Sequence, residues 1–160
     1  MAASGPRDLS ELRSLIDASG IRSVRIIAWR DLDDPEAGGS ELHAHKVAAC
    51  WAACGLDVTL RTSQVPNSPE RIEREGYAVI RKGGRYGVFP QVALEGIRDR
   101  HHEDALLEVW NGMPFFSPLW RRKPRLTAIH HVHGEMWRMV LTRMLAFVGD
   151  AIERIIAPVF

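Results

Sequence analysis

A chain of 160 residues with 21 Lys and Arg against 20 Asp and Glu carries a net charge of only +1. It is long enough to bury the core of one domain without disulfide or metal staples. Its charge is too balanced for a nucleic-acid binder, which needs a basic excess. Two cysteines, Cys50 and Cys54, make no disulfide framework, so a reducing cytoplasm is the expected compartment.

Residues 1–20 read as a polar N-terminal extension with a short helix in "DLSELRSLIDASG", stopped by Gly20. No signal-peptide pattern opens the chain, and no apolar run reaches the roughly 18 residues that span a bilayer. "VRIIAW" (24–29) is nearly all apolar, as a strand buried on both faces of a parallel sheet would be. In "SELHAHKVAACWAACG", Ala44, Val47, Ala48, Trp51 and Cys54 form an apolar stripe at helical spacing, and Gly55 supplies the stop. Cys50 and Cys54 share a face of that helix and read as small apolar side chains rather than as a metal or redox pair. "LDVTLRT" (56–62) is a second strand, so a βαβ unit and a parallel sheet are expected.

The polar, proline-bearing stretch 63–76 reads as a loop. "YAVIRKGGRYGVF" (77–89) predicts a strand, a Gly83–Gly84 turn and a short second strand. "PQVALEGIRDR" (90–100) predicts a helix with Pro90 in its first turn. "DALLEVW" (104–110) is the next strand and "RLTAIHH" (125–131) another. Between them, the three prolines of "NGMPFFSPLWRRKP" argue against regular structure. A helical pattern closes the chain over 135–156, with Met136, Met139, Val140, Met144, Phe147 and Val148 at core spacing. Alternating strands and helices give an α/β domain: an open, Rossmann-like parallel sheet with helices on both faces, over 21–160.

Three constellations carry possible chemistry. Gly38, Gly39 and Ser40 lie between the first strand and its helix, at the carboxyl edge where such sheets bind ligands. Glycine allows close approach, and a helix N-terminus offers unpaired N–H groups to an anion. Ser40 reads as the N-cap; with His43 in the third helical position no capping box is expected. The turn is neither G-x-G-x-x-G nor a Walker loop, which points away from NAD or ATP bound in the usual way. "HHVHG" gathers three of the seven histidines, and a His131–x–His133 pair could open a metal site, although His43 and His45 lie on different faces of their helix. Aromatic residues with Arg121, Arg122, Lys123 and Arg125 could touch an anionic membrane surface, or else pack beneath a stiff loop. Asn111, at a strand end, is a candidate hydrogen-bonding residue for an acceptor or simply half of an Asn-Gly turn. Glu95 and Glu103, eight apart, are read as coincidence.

Taken together, "GGSE", "GLDVTLRT", "EREGYAVIRKGGRYGVF", "EVWNGMPFFSPLW" and "HHVHGEMW" resemble, in this order, a bacterial branch of family 4 of the retaining glycosyltransferases. The likeness covers most of residues 22 to 158. The resemblance implies the GT-B fold, in which two Rossmann-like domains face one another across a cleft. It implies that this chain is the N-terminal, acceptor-side domain, and that Gly38, Gly39 and Ser40 reach the diphosphate of a nucleotide-sugar donor. It places His130 against the transferred sugar as the catalytic contact and requires neither a metal nor another cofactor; Asn111 and His133, by their own positions at strand ends, are the candidate acceptor contacts. The 160 residues are expected to hold only this half, so a C-terminal donor-binding domain is expected in cis or in trans, and the chain alone is expected to be inactive. The competing expectations are a non-catalytic interaction module that binds a separate donor-domain partner, and a His-x-His metal-dependent enzyme. A cytoplasmic place, at most at the inner face of the membrane, fits the first reading.

Overall fold

The computed structural model describes residues 9–99, 103–111, 113–122 and 124–131. They form an α/β fold around one six-stranded open sheet of order β3-β4-β2-β1-β5-β6. The strands are β1 (Ser23–Ile27), β2 (Asp57–Thr62), β3 (Arg71–Arg74), β4 (Tyr77–Arg81), β5 (Ala105–Asn111) and β6 (Arg125–His131). Helices α1 (Leu9–Ser19), α2 (Gly39–Ala53), α3 (Val88–Asp99) and the single turn α4 (Ser117–Trp120) cover its faces. Every strand pair is parallel except β3 with β4.

Alternation along β1 divides the core, because successive side chains leave a strand on opposite faces. Val24 and Ile26 join Val58, Leu60, Val79, Leu107 and Val109 beneath Ala44 and Ala48 of α2. Ile27 and Leu106 face the other way, onto Val88, Phe89 and Val92 of α3 and onto Phe115. The chain leaves β1 through α2 toward β2 and β4, then crosses back by α3 to β5 on the other side of β1. The carboxyl ends of β1 and β5 therefore diverge at the switch point where open sheets of this class hold ligands.

Three local expectations are corrected. The stretch 63–76 is not all loop: Arg71–Arg74 form β3, paired antiparallel with β4 around Glu75 and Gly76, both at positive φ. No strand follows the Gly83–Gly84 turn; the chain enters α3 at Val88 instead, with Pro90 in the first turn as expected. Three prolines do not exclude helix from 111–124, because Pro118 falls at the start of α4, where its missing N–H costs nothing. The C-terminal helical pattern over 135–156 lies outside the described residues. Among the described residues no helix is long and apolar enough to cross a membrane.

Glu95 and Glu103 have a structural use. Glu95 takes both Nε–H and a terminal N–H of the buried Arg61 at 3.2 and 2.9 Å, and Glu103 takes Arg25 at 2.7–2.8 Å. They neutralise two arginines that β1 and β2 place on the α3 face. Cys54 is buried and Cys50 partly so, both as free thiols, and burial, with the neighbouring Cys54, pushes the Cys50 thiol up.

Candidate functional site

The glycine-serine turn sits where the βα connection should place it, at the carboxyl end of β1. Its capping differs from expectation. The N-cap is Gly38, not Ser40, and Glu41 is the third helical residue. The Glu41 carboxylate, 2% exposed, accepts the Gly38 N–H at 2.8 Å and the Ser40 hydroxyl at 2.9 Å through Oε2, and Arg30 Nε–H at 3.3 Å through Oε1. This is the reciprocal half of a capping box, made by a residue that the Ser40 assignment places two positions too early. Burial acts to raise the Glu41 pKa, but the donors from Gly38, Ser40 and its own N–H, with the Arg30 charge, outweigh it and hold it below the usual range.

Asn111 donates Nδ2–H to Ser40 Oγ at 2.7 Å. That bond spans the switch point, from the end of β5 to the start of α2. With its hydrogen given to Glu41 and a lone pair taken by Asn111, the Ser40 hydroxyl is already engaged. What the turn leaves open are the backbone N–H groups of Gly39 and Ser40, which find no acceptor among the described residues. Gly39 faces free space, with nothing within 4 Å of where a Cβ would stand. An anion can come within hydrogen-bonding distance there, at the positive end of the helix dipole.

His130 reaches the same rim from β6. The ladder pairs Trp110 with Ile129 and Asn111 with His131, so His130 is the extra residue of a bulge; bulges commonly re-aim a side chain at the edge of a site. Its Nε2 lies 2.9 Å from His43 Nδ1 of α2. Burial, then the charge of His43, holds the His130 pKa below its ordinary 6.5, against a smaller opposing pull from Glu41. The structure thus gathers Gly38, Gly39, Ser40, Asn111 and His130 at one edge. His133 lies outside the described residues, so the His131–His133 pair has no geometry to report. Among the described residues no three His, Cys, Asp or Glu side chains come together as a metal site.

On the other flank of α2, sequence reasoning overlooked a buried charge cluster. Asp31, fully buried, accepts Arg81 at 2.9 Å, lies 3.5 Å from Arg74, and takes the N–H of Asp33. Asp33 accepts Arg74 through both oxygens at 2.9 Å and also pairs with Arg81. His45, 3% exposed, puts Nδ1 2.7 Å from the Tyr77 hydroxyl and 3.4 Å from Arg74, and Nε2 3.6 Å from Asp31 Oδ2. A guanidinium has only hydrogens to offer, so Nδ1 must accept and the ring hydrogen stands on Nε2, toward Asp31. Burial lowers the His45 pKa to about 4; the arginines add to this and Asp31 opposes it. Burial likewise pushes Tyr77 up to about 12. The cluster binds the loop that leads into the turn to the β3–β4 hairpin.

The outer wall of that loop is aromatic. The guanidinium groups of Arg30 and Arg85 lie 4.7 and 5.6 Å from the Trp29 ring centre, and both pair with Glu36. The Trp-Arg pair at 29–30 and the Arg-Tyr pair at 85–86 were the available signals, since cations and aromatic faces attract.

In the 111–125 loop, Phe115 is buried, Trp120 donates Nε1–H to Phe115 O at 2.9 Å, and Arg121 turns inward to Glu103 O at 2.8 Å. The aromatics there pack beneath the loop, and one basic residue of the supposed membrane patch is spent inside. Glu108, fully buried on β5, holds the loop by accepting the N–H groups of Phe115 and Ser117; burial raises its pKa against those bonds. An apolar cavity of about 280 Å³ lies at the opposite, amino end of the sheet, lined by Ile16, Val24, Trp51, Leu56, Leu107 and Leu126. It lacks the convergent polar groups of a reacting site. No protein-family model and no curated protein matches the chain.

Proposed function

We propose that this chain is the N-terminal, acceptor-side domain of a retaining GT-B glycosyltransferase, acting on a nucleotide-sugar donor together with a donor-binding domain. The observation that carries the reading is the Asn111–Ser40 bond across the switch point, with His130 at the same rim. It unites residues from the ends of β1, β5 and β6 that the sequence holds some 90 positions apart. Gly39 and Ser40 offer two N–H groups to diphosphate oxygens, where negative charge grows as the leaving group departs. His130 offers a ring nitrogen to a sugar hydroxyl. The transferred sugar keeps its anomeric configuration, as in the family that the sequence resembles. A domain that supplies only this half of the contacts binds weakly and turns over little, because transition-state stabilisation needs both halves.

The test is an amide NMR titration of the 160-residue chain with UDP-glucose and with GDP-mannose. The expected result is a set of shifts centred on Gly39, Ser40 and His130. Shifts confined to the amino-end cavity, or none at millimolar ligand, would remove the reading.

A further inference from the structure

The contact between His43 and His130 has a chemistry of its own. Their rings lie 4.7 Å apart at 62°, with Nδ1 and Nε2 at 2.9 Å. Two imidazole nitrogens at that distance share one hydrogen, one donating and the other accepting. Each neutral ring carries a single hydrogen. The two outward nitrogens, His43 Nε2 and His130 Nδ1, therefore hold one hydrogen and one lone pair between them in either arrangement. One added proton preserves the bond between the rings; a second leaves no acceptor there and breaks it. Glu41 of α2 favours charge on His130, while burial and the charge of His43 disfavour it. Asn111, at the neighbouring strand end, is neutral and tied to Ser40.

We infer that His43 is a positioning residue for His130: it holds the bulged imidazole by Nε2 and leaves Nδ1 as the nitrogen presented at the end of β6. A hydroxyl both donates and accepts, so Nδ1 meets a sugar hydroxyl in either tautomer. The inference rests on the sugar-nucleotide reading of the site. Both histidines are exposed, so substituting His43 leaves the core alone.

The experiment is histidine-ring NMR on the ¹⁵N-labelled chain across the histidine pH range, together with UDP-glucose titrations, for the wild type, His43→Ala and His43→Asn. In the wild type His130 titrates below 6.5; in His43→Ala its curve moves up toward that value. UDP-glucose affinity falls about 10-fold in His43→Ala, the worth of one placed hydrogen bond. It recovers largely in His43→Asn, whose amide stands near the place of Nδ1. An unchanged His130 curve, or wild-type affinity in His43→Ala, overturns the inference. If no variant and not the wild type binds UDP-glucose or GDP-mannose, the sugar-nucleotide reading and the hydroxyl role fall, and the His130 curve still decides whether the rings are paired.

Discussion

His43 and His45 leave α2 on opposite sides. His43 reaches across to His130 at the exposed end of β6, whereas His45 is enclosed between Tyr77 of β4 and Asp31, with two arginines beside it. Two residues along a helix are about 200° apart, so one residue type is delivered to two environments. On the His45 flank the charges offset one another, Asp31 and Asp33 against Arg74 and Arg81 with the imidazole neutral, and the polar atoms left over there, Asp31 Oδ2, His45 Nε2 and Arg81 Nε, are buried. On the other flank the amides of Gly39 and Ser40 and the outer edges of two imidazoles are left open. The fold thus anchors the loop by ion pairs on one side of the helix and leaves His43 and His130 exposed on the other.

The sharpest way to break this contrast is to remove Asp31. Asp31→Ala leaves Arg74 and Arg81 without their buried partner and should cost about 3–5 kcal/mol, as stranded buried charges do. Urea denaturation measures it; a loss below about 1 kcal/mol would mean that the cluster is not an anchor.

The same flank should respond to acid. The His45 pKa is lowered from 6.5 to about 4 in the folded chain, so the unfolded chain takes up the proton first. The associated stability is present above pH 6.5 and is lost as the pH falls toward 4, by about 3 kcal/mol in all. Asp33 and Glu41, whose folded pKa values are lowered, keep their contributions above the ordinary carboxylate range and lose them below it. The difference between wild type and His45→Asn therefore isolates the imidazole: the variant should show a flatter decline between pH 6.5 and 4. Parallel curves would show that His45 charges freely.

Glu41 stands between the flanks and carries a smaller effect. Glu41→Ala frees the Gly38 N–H, the Ser40 hydroxyl and Arg30, at about 1–3 kcal/mol. Hydrogen exchange should quicken at Gly38 and along the first turn of α2 while β2 and β4 stay protected. Uniform quickening would instead assign Glu41 to the global fold.

The division also marks what the sequence could show. Apolar runs and helical stripes placed β1, α2, β2, β5 and β6, because those elements bury regular faces that periodicity records. β3 escaped notice because Arg71 and Glu73 are exposed on an edge strand and carry no apolar alternation. The turn and Asn111 could be placed at the carboxyl edge of the sheet by position alone, whereas His130 was singled out only through the family resemblance. Their mutual contacts, and the paired roles of Asp31, His45, Arg74 and Arg81, come from strands distant in sequence, and charges scattered over fifty residues show no spacing that predicts a cluster. Glu41 was misjudged by two residues of register: taking Ser40 rather than Gly38 as the cap moved the third helical position from Glu41 to His43.

The smallest expected effect on stability is the most informative about the open flank. Gly39 has an ordinary backbone conformation, with no positive φ, and a Cβ there would meet nothing within 4 Å. Gly39→Ala should change stability by no more than about 0.5 kcal/mol, the range of surface substitutions away from special features. Yet that Cβ would stand in the space through which an anion approaches the two open N–H groups. If the turn receives a diphosphate, UDP-glucose binding should fall about 10-fold or more while the unfolding curve stays in place, because close approach to backbone is what glycine permits and alanine obstructs. Wild-type binding in this variant would move the anion elsewhere on the rim. Only a flank whose groups are unspent can lose binding without losing stability, so the same titration on Asp31→Ala should show the converse: a weakened fold, with the intrinsic preference of Gly39 and Ser40 for the anion retained in the molecules that remain folded.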